Sequence, residues 1–154
     1  MRKNRGSHRV SARIMEVAIL IALPVLFHYL IPVMTVIPTP YSYLGVVVMI
    51  LGMALLIWAA MLFRKAGTSF QLQGGGSVLV TSGAYQFSRN PMYLGMLIWV
   101  IGLAILLGSL IVFLFPILLF LLANFLIIPL EERDLQRIFE KRFIEYKRSV
   151  RRWL

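Results

Sequence analysis

Two short stretches of this chain carry residues suited to chemistry. The first reads Arg89-Asn90-Pro91-Met92-Tyr93 and the second Glu131-Glu132. Pro91 suits the first turn of a helix, where its missing N–H needs no partner. Arg89 and Asn90 then stand at the start of that helix, with Tyr93 within one turn. Backbone donors at a helix start, together with an arginine, suit an anionic group. The same residues also read as interfacial trimming, with arginine marking the inner side of a membrane and tyrosine its aromatic belt. Glu131-Glu132 ends an apolar run, where the helix dipole prefers cations. A cost without structural gain points to a partner, such as a ligand hydroxyl, an amine or Arg89. The alternative is that both carboxylates are solvated and balanced by Arg133 and Arg137.

The elements that must position these residues follow from composition. Hydrophobic residues make up 60% and charged residues 14%, against about 45–50% and about 25% in soluble domains. That balance excludes a soluble globular enzyme and a disordered chain. Cysteine is absent, which excludes a disulfide scaffold, thiolate metal sites and a cysteine nucleophile. Lys and Arg number 16 against 6 acidic residues, a net charge of +10. In a soluble protein that excess suggests nucleic acid. Here the cations flank apolar blocks, so they read as topology signals and as partners for anionic lipid headgroups, with no nucleic acid.

Val17–Phe63 and Asn90–Leu130 carry no formal charge. Each run is long enough for two spans of about 20 residues. The first is interrupted by Pro32, Pro38, Thr39 and Pro40, the second by Gly108-Ser109. The expected fold is therefore all-α, a single membrane domain of four transmembrane helices near residues 14–32, 41–63, 91–107 and 110–130. A loop joins the second helix to the third, and an amphipathic C-terminal helix follows the fourth. Five basic residues precede the first helix, three lie between the second and third, and eight follow the fourth. All fall on one side only if two spans separate each group. Both termini and the middle loop are then cytoplasmic, in a multi-pass protein of the plasma or inner membrane. The basic N-terminal segment lacks a following cleavage site, so an uncleaved first span is expected.

Finer signals concern packing. Gly45 and Gly52, and likewise Gly95 and Gly102, lie two turns apart and favour close helix contact. Pro129 is expected to bend the fourth helix just before its acidic end. Leu135, Ile138, Phe139, Phe143, Tyr146 and Val150 recur at helical spacing, opposite Arg133, Arg137, Lys141 and Arg148. Such a helix either anchors at the interface or closes the cytoplasmic mouth of the bundle. Gly74-Gly75-Gly76 reads as a flexible link, and its surroundings lack a dinucleotide fingerprint. His28 has no obvious partner. No Ser–His–Asp set, metal cluster or Walker loop is present, which leaves chemistry in which a cofactor does the hard part.

The second half resembles the isoprenylcysteine carboxyl methyltransferase and phospholipid methyltransferase superfamily. That pattern runs Gly-x-Tyr, Arg-His-Pro-x-Tyr-x-Gly, an apolar hairpin, Glu-Glu, then Phe-Gly-x-x-Tyr-x-x-Tyr. This chain has Gly83-Ala84-Tyr85, Arg89-Asn90-Pro91-Met92-Tyr93-Leu94-Gly95, Glu131-Glu132, and Phe139-Glu140 followed by Phe143 and Tyr146. The ending Val150-Arg151-Arg152-Trp153-Leu154 also looks like small prokaryotic members. Asn90 stands where the pattern has histidine, Glu140 where it has glycine, and Phe143 where it has tyrosine. Asparagine does not titrate near neutrality, so position 90 has no proton-transfer role.

The resemblance implies an S-adenosylmethionine pocket between the cytoplasmic ends of the third and fourth helices. Its cofactor-binding residues are Tyr85, Arg89, Asn90, Pro91, Tyr93, Gly95, Glu131, Glu132 and Tyr146, with Arg89, Glu131 and Glu132 also catalytic. Arg89 is expected on the cofactor carboxylate. One glutamate is expected toward Arg89 and Asn90, the other toward the C-terminal helix or solvent. The implied acceptor is lipid-like, a membrane lipid such as an aminophospholipid or a prenylated carboxylate. The rival readings are a sterol-reductase-type enzyme using NADPH, for which no second arginine cluster stands near Arg89 in sequence, and a non-enzymatic membrane adaptor.

Overall fold

The computed structural model describes residues 19, 21–31, 34–67 and 78–154. Among them every named element is helical, and a single isolated bridge links Thr35 to Ser109. Helix α1 is Ile21–Leu30. A 3-10 turn, Tyr41–Tyr43, leads into α2, Leu44–Lys65. After a 3-10 turn at Gly83–Gln86 comes α3, Pro91–Leu107. A third such turn, Leu110–Phe113, opens α4, Leu114–Leu122. A π-helical turn, Ala123–Ile127, joins α4 to α5, Ile128–Ser149. The basic N-terminal segment, the ends of the expected first helix and Gly74-Gly75-Gly76 lie outside the described residues.

Tyr41–Lys65 and the helical run that begins at Leu110 are long and apolar enough to cross a membrane. Helix α3 is apolar too, and its 17 residues extend about 25 Å at 1.5 Å per residue. Leu44, Val47, Leu51, Leu114, Ile117 and Leu118 point outward and are exposed. An apolar exterior on helices that satisfy their own backbone groups is what a bilayer requires.

The α2–α3 contact is built on glycine. A Cβ on Gly52 would lie 2.5 Å from Trp99 N and 2.7 Å from Gly95 O. A Cβ on Gly95 would lie 2.8 Å from Gly52 O. Gly45 faces Gly102 in the same way, so the two glycine pairs meet antiparallel. At the far end of α3, Gly108 adopts φ 63°, a left-handed cap that favours glycine, and its carbonyl accepts from Val36 N–H. The two uncharged connections, around Pro38 and Gly108, therefore meet at one end of the bundle. The Arg89 end of α3 is the other.

The fourth helix departs from expectation in two places. It does not end at the acidic pair but runs on through Glu131 and Glu132 as α5. The Ile128 N–H reaches back five residues to the Ala123 carbonyl, and this π turn makes room for the proline. In that register the Asn124 carbonyl faces residue 129, and Pro129 has no N–H to give. The second departure is at Glu140, where φ is 44° and ψ −116°. The apolar stripe from Leu135 to Val150 is thus split between two helical pieces rather than running along one straight helix. Lys147 Nζ lies 3.1 Å from Glu132 Oε2. Along a straight helix fifteen residues span about 22 Å, beyond a lysine's reach, so the bend at Glu140 returns the chain to the mouth.

The returning piece packs against protein. Phe143 and Tyr146 join Ala59, Val80, Ala84 and Tyr85 in one buried cluster, with Leu135 and Phe139 against its edge. The exposed positions of α5 as a whole include the basic Arg137, Lys141 and Arg148.

Candidate active site

At the entrance of α3 the chain makes a tight arrangement around Asn90, the residue before the first turn. Asn90 N–H donates to Ser88 Oγ at 3.1 Å, and Pro91 is buried as the first helical residue. This fixes the direction in which Arg89 leaves the backbone. Its guanidinium crosses the mouth to α5, where Nη2 donates to Glu132 Oε1 at 2.9 Å and Nη1 to the Lys147 carbonyl at 2.9 Å. Both side chains of the Arg89–Glu132 pair are under a tenth exposed, at 9% and 8%. Arg89 Nε is buried and has no hydrogen-bond partner among the described residues.

Glu132 is shared by three cations. Besides Arg89 and Lys147, Arg152 donates through Nη2 to Oε2 at 3.1 Å and through Nε to Oε1 at 3.3 Å. Burial pushes the carboxyl up, but the bonds from Arg152 and Lys147 and the charge of Arg89 prevail and hold it below the usual range. Glu131 differs. Its Oε1 accepts from Tyr93 Oη at 2.7 Å, one turn into α3. Burial raises its pKa, and the tyrosine bond only partly opposes this.

The structure thus divides the adjacent carboxylates, as a 100° step around the helix requires. Glu132 is the residue toward Arg89. Glu131 faces α3 as well, through Tyr93, and neither points only to solvent. Arg133 and Arg137 do not balance them: Arg137 instead lies 3.8 Å from Asp134, highly exposed. Asn90 donates through Nδ2 to the Arg152 carbonyl at 3.2 Å.

Tyr85 and Tyr146 belong to the buried cluster beside the mouth. Tyr146 Oη donates to the Tyr85 carbonyl at 2.7 Å, and the Tyr85 ring packs edge-on to Phe63. Burial raises the pKa of both phenols. The negative charges of Tyr146 and Glu131 add to the effect at Tyr85, while Arg89 opposes it at Tyr146. Gly95 is pressed against Gly52 of α2, so its position serves helix packing.

Sequence reasoning missed Ser88, Asn124, Lys147, Arg152 and Trp153. Arg151 and Arg152 accept through their carbonyls from Arg89 N–H at 3.0 Å and Ser88 Oγ at 3.2 Å. Arg152 Nη1 donates to the Asn124 carbonyl and to its Oδ1, and Trp153 Nε1 donates to that Oδ1 at 3.1 Å. The signal was Asn124 itself, alone among apolar residues and prolines between Leu110 and Leu130, where a polar group needs a partner. No arginine cluster stands near Arg89 in sequence, but the fold brings one distant arginine, Arg152, to share Glu132 with it. Arg152 is nonetheless committed, with Nε, Nη1 and Nη2 all bonded to protein.

An all-helical bundle with a charged mouth of this kind defines a membrane-type chain, and the comparisons give its family. Residues 41–142 match the phospholipid methyltransferase family, and the chain belongs to that family. It is 41% identical over 76 residues to protein-S-isoprenylcysteine O-methyltransferase of Saccharomyces cerevisiae, covering 47% of this chain and 30% of that protein. It is 37% identical over 75 residues to protein-S-isoprenylcysteine O-methyltransferase B of Arabidopsis thaliana, covering 47% of this chain and 36% of that protein. The match spans about a third of the length of these curated relatives.

Proposed function

We propose that this chain is an S-adenosylmethionine-dependent methyltransferase that modifies a lipid-like acceptor at the cytoplasmic face of a membrane. The observation that carries the reading is Arg89, a buried arginine whose Nε has no partner among the described residues. A buried guanidinium N–H lacking an acceptor fits a carboxylate, and S-adenosylmethionine carries one. Three cations share Glu132, so the mouth has positive charge to spare for an anion.

The cofactor supplies a methyl group activated by a sulfonium. The residues of this chain bind and align. Arg89 holds the anionic end through Nε, while Glu132 and the Lys147 carbonyl keep its plane fixed. Glu131 offers a carboxylate to an ammonium or a ribose hydroxyl, and Tyr93 sets its rotamer. With an amine acceptor, the raised pKa of Glu131 suits it to take a proton. A carboxylate acceptor needs no base, and alignment in a water-poor site supplies most of the rate.

In this reading the bundle has four spans, and both termini and the α2–α3 loop are cytoplasmic. The returning α5 piece is amphipathic and offers its basic side to anionic headgroups. The acceptor enters from the bilayer. The names of the two curated relatives favour a prenylated carboxylate, and the family's name keeps an aminophospholipid in view. Calorimetric titration in lipid nanodiscs with S-adenosylmethionine, its demethylated product and NADPH tests the reading. Binding of the first two is expected. Binding of NADPH alone would turn it toward a reductase.

A further inference from the structure

Among the described residues, a polar contact centred on Arg152 joins the site just assigned to side chains that have been given no role. Arg152 is held at both ends. Its carbonyl accepts from Ser88 Oγ and Asn90 Nδ2 at the entrance of α3. Its guanidinium bridges Glu132 of α5 and Asn124 of the π turn. The Asn124 carbonyl is available because Pro129 cannot donate to it, and its Oδ1 also accepts from Trp153, whose ring packs on Phe120. A π turn, a proline and a lone asparagine thus converge on one arginine near the end of the chain. Packing needs none of this, since an apolar residue at 124 would sit comfortably in such a helix.

We propose that Asn124 is a positioning residue for the site. Through Arg152 it fixes the Glu132 carboxylate, and Glu132 fixes the plane of the Arg89 guanidinium. Without the Asn124 side chain, Arg152 retains Glu132 and the carbonyl at 124 but loses Oδ1, the contact that ties its angle to Trp153. The Arg151–Arg152 backbone then loosens from Arg89, Ser88 and Asn90. This role rests on the methyltransferase reading for its consequence, but its geometry can be tested alone.

The test compares Asn124→Leu and Asn124→Asp with the unaltered protein in nanodiscs. Leu removes the side-chain acceptor shared by Arg152 and Trp153, leaves the backbone carbonyl at 124 in place, and keeps the size. Asp keeps an acceptor oxygen for Arg152 and Trp153. Two quantities are read: the Kd for S-adenosylmethionine, and hydrogen exchange at the Arg89 amide, which bonds the Arg151 carbonyl. Leu is expected to weaken binding about tenfold, a charge-assisted hydrogen bond's worth, and to speed Arg89 exchange by a similar factor. Asp is expected to restore both to within about threefold, as a retained acceptor keeps the bond. Wild-type values for Leu, or an Asp variant as impaired as Leu, would overturn the proposal. Should the Leu variant fail to fold, Arg152→Lys carries the test, because lysine reaches Glu132 but cannot bridge to Asn124. Arg89 exchange and Kd unchanged in Arg152→Lys would also overturn it. If the unaltered protein binds no S-adenosylmethionine, the methyltransferase reading falls, and Arg89 exchange still decides the role of Asn124.

Discussion

Replacing each glutamate of the acidic pair by glutamine should produce opposite defects. Glu132 is 6% exposed and shared by three cations. Its most buried partner is Arg89, with both side chains under a tenth exposed, and breaking a buried pair of that kind costs about 3–5 kcal/mol. Lys147 is 44% exposed, so solvent screening reduces its share to about 0–1 kcal/mol. Glutamine retains one acceptor oxygen, and we expect Glu132→Gln to lose about 3 kcal/mol of stability, the low end of the buried-pair range. Glu131 has a raised pKa, and its bond from Tyr93 survives in glutamine. Glu131→Gln should fold at least as stably as wild type at neutral pH, yet weaken S-adenosylmethionine binding tenfold or more, about 1.4 kcal/mol.

The pH dependence has opposite signs. The lowered pKa of Glu132 makes its contribution complete above the unfolded value and lost as pH falls through the folded one. The raised pKa of Glu131 makes its ionisation unfavourable to the fold once pH passes the unfolded value, and acid relieves this. The advantage of Glu131→Gln should therefore grow as pH rises above the ordinary glutamate value of about 4.3, where the unfolded carboxyl ionises and the folded one resists. Denaturant unfolding in mixed micelles and calorimetry measure both quantities. If Glu132→Gln is as stable as wild type, or Glu131→Gln binds with unchanged affinity, this division of roles is wrong.

Arg89→Ala should weaken cofactor binding by about 1.5–3 kcal/mol, and Arg137→Ala, 82% exposed, by at most about 1; equal Kd values would remove Arg89 from the site. Gly52→Ala should destabilise by about 1–3 kcal/mol, read by thermal unfolding, because its Cβ meets α3 backbone at 2.5 Å. Glu140→Gly should raise the unfolding midpoint by relieving about 1 kcal/mol of backbone strain at φ 44°; a lowered midpoint would show that the bend is not strained. Single cysteines at Thr39 and Ser82, both exposed, should react differently with an impermeant thiol reagent on intact cells, and equal labelling would sink the topology.

The helices were readable where their signals are local. Pro91 and Gly108 mark both ends of α3 because a proline start and a left-handed cap act on the backbone directly. The glycine pairs were readable because the seven-residue spacing fixes the face, and the structure sets Gly52 on Gly95. Arg89 and the acidic pair stood out through charge in an apolar context. What stayed hidden depends on the bend at Glu140. Nothing in a stripe of regularly spaced apolar residues says that the helix turns back midway, and only that turn brings Lys147 and Arg152 to Glu132. A glutamate at left-handed φ is a poor local signal, and its mark was the family pattern's glycine at that position. The π turn was equally silent, since a proline in a helix reads as a bend and not as the source of a free carbonyl at Asn124.

The central claim is methyl transfer from S-adenosylmethionine to a lipid-like acceptor. Purified protein in nanodiscs, given S-adenosylmethionine with a radiolabelled methyl group, should be offered a farnesylated cysteine carboxylate, an aminophospholipid and a total lipid extract in parallel. The account predicts labelled, extractable lipid product from at least one acceptor, lost in Arg89→Ala and retained in Arg137→Ala. No label in any acceptor, from protein that is folded and binds the cofactor's demethylated product, would contradict it.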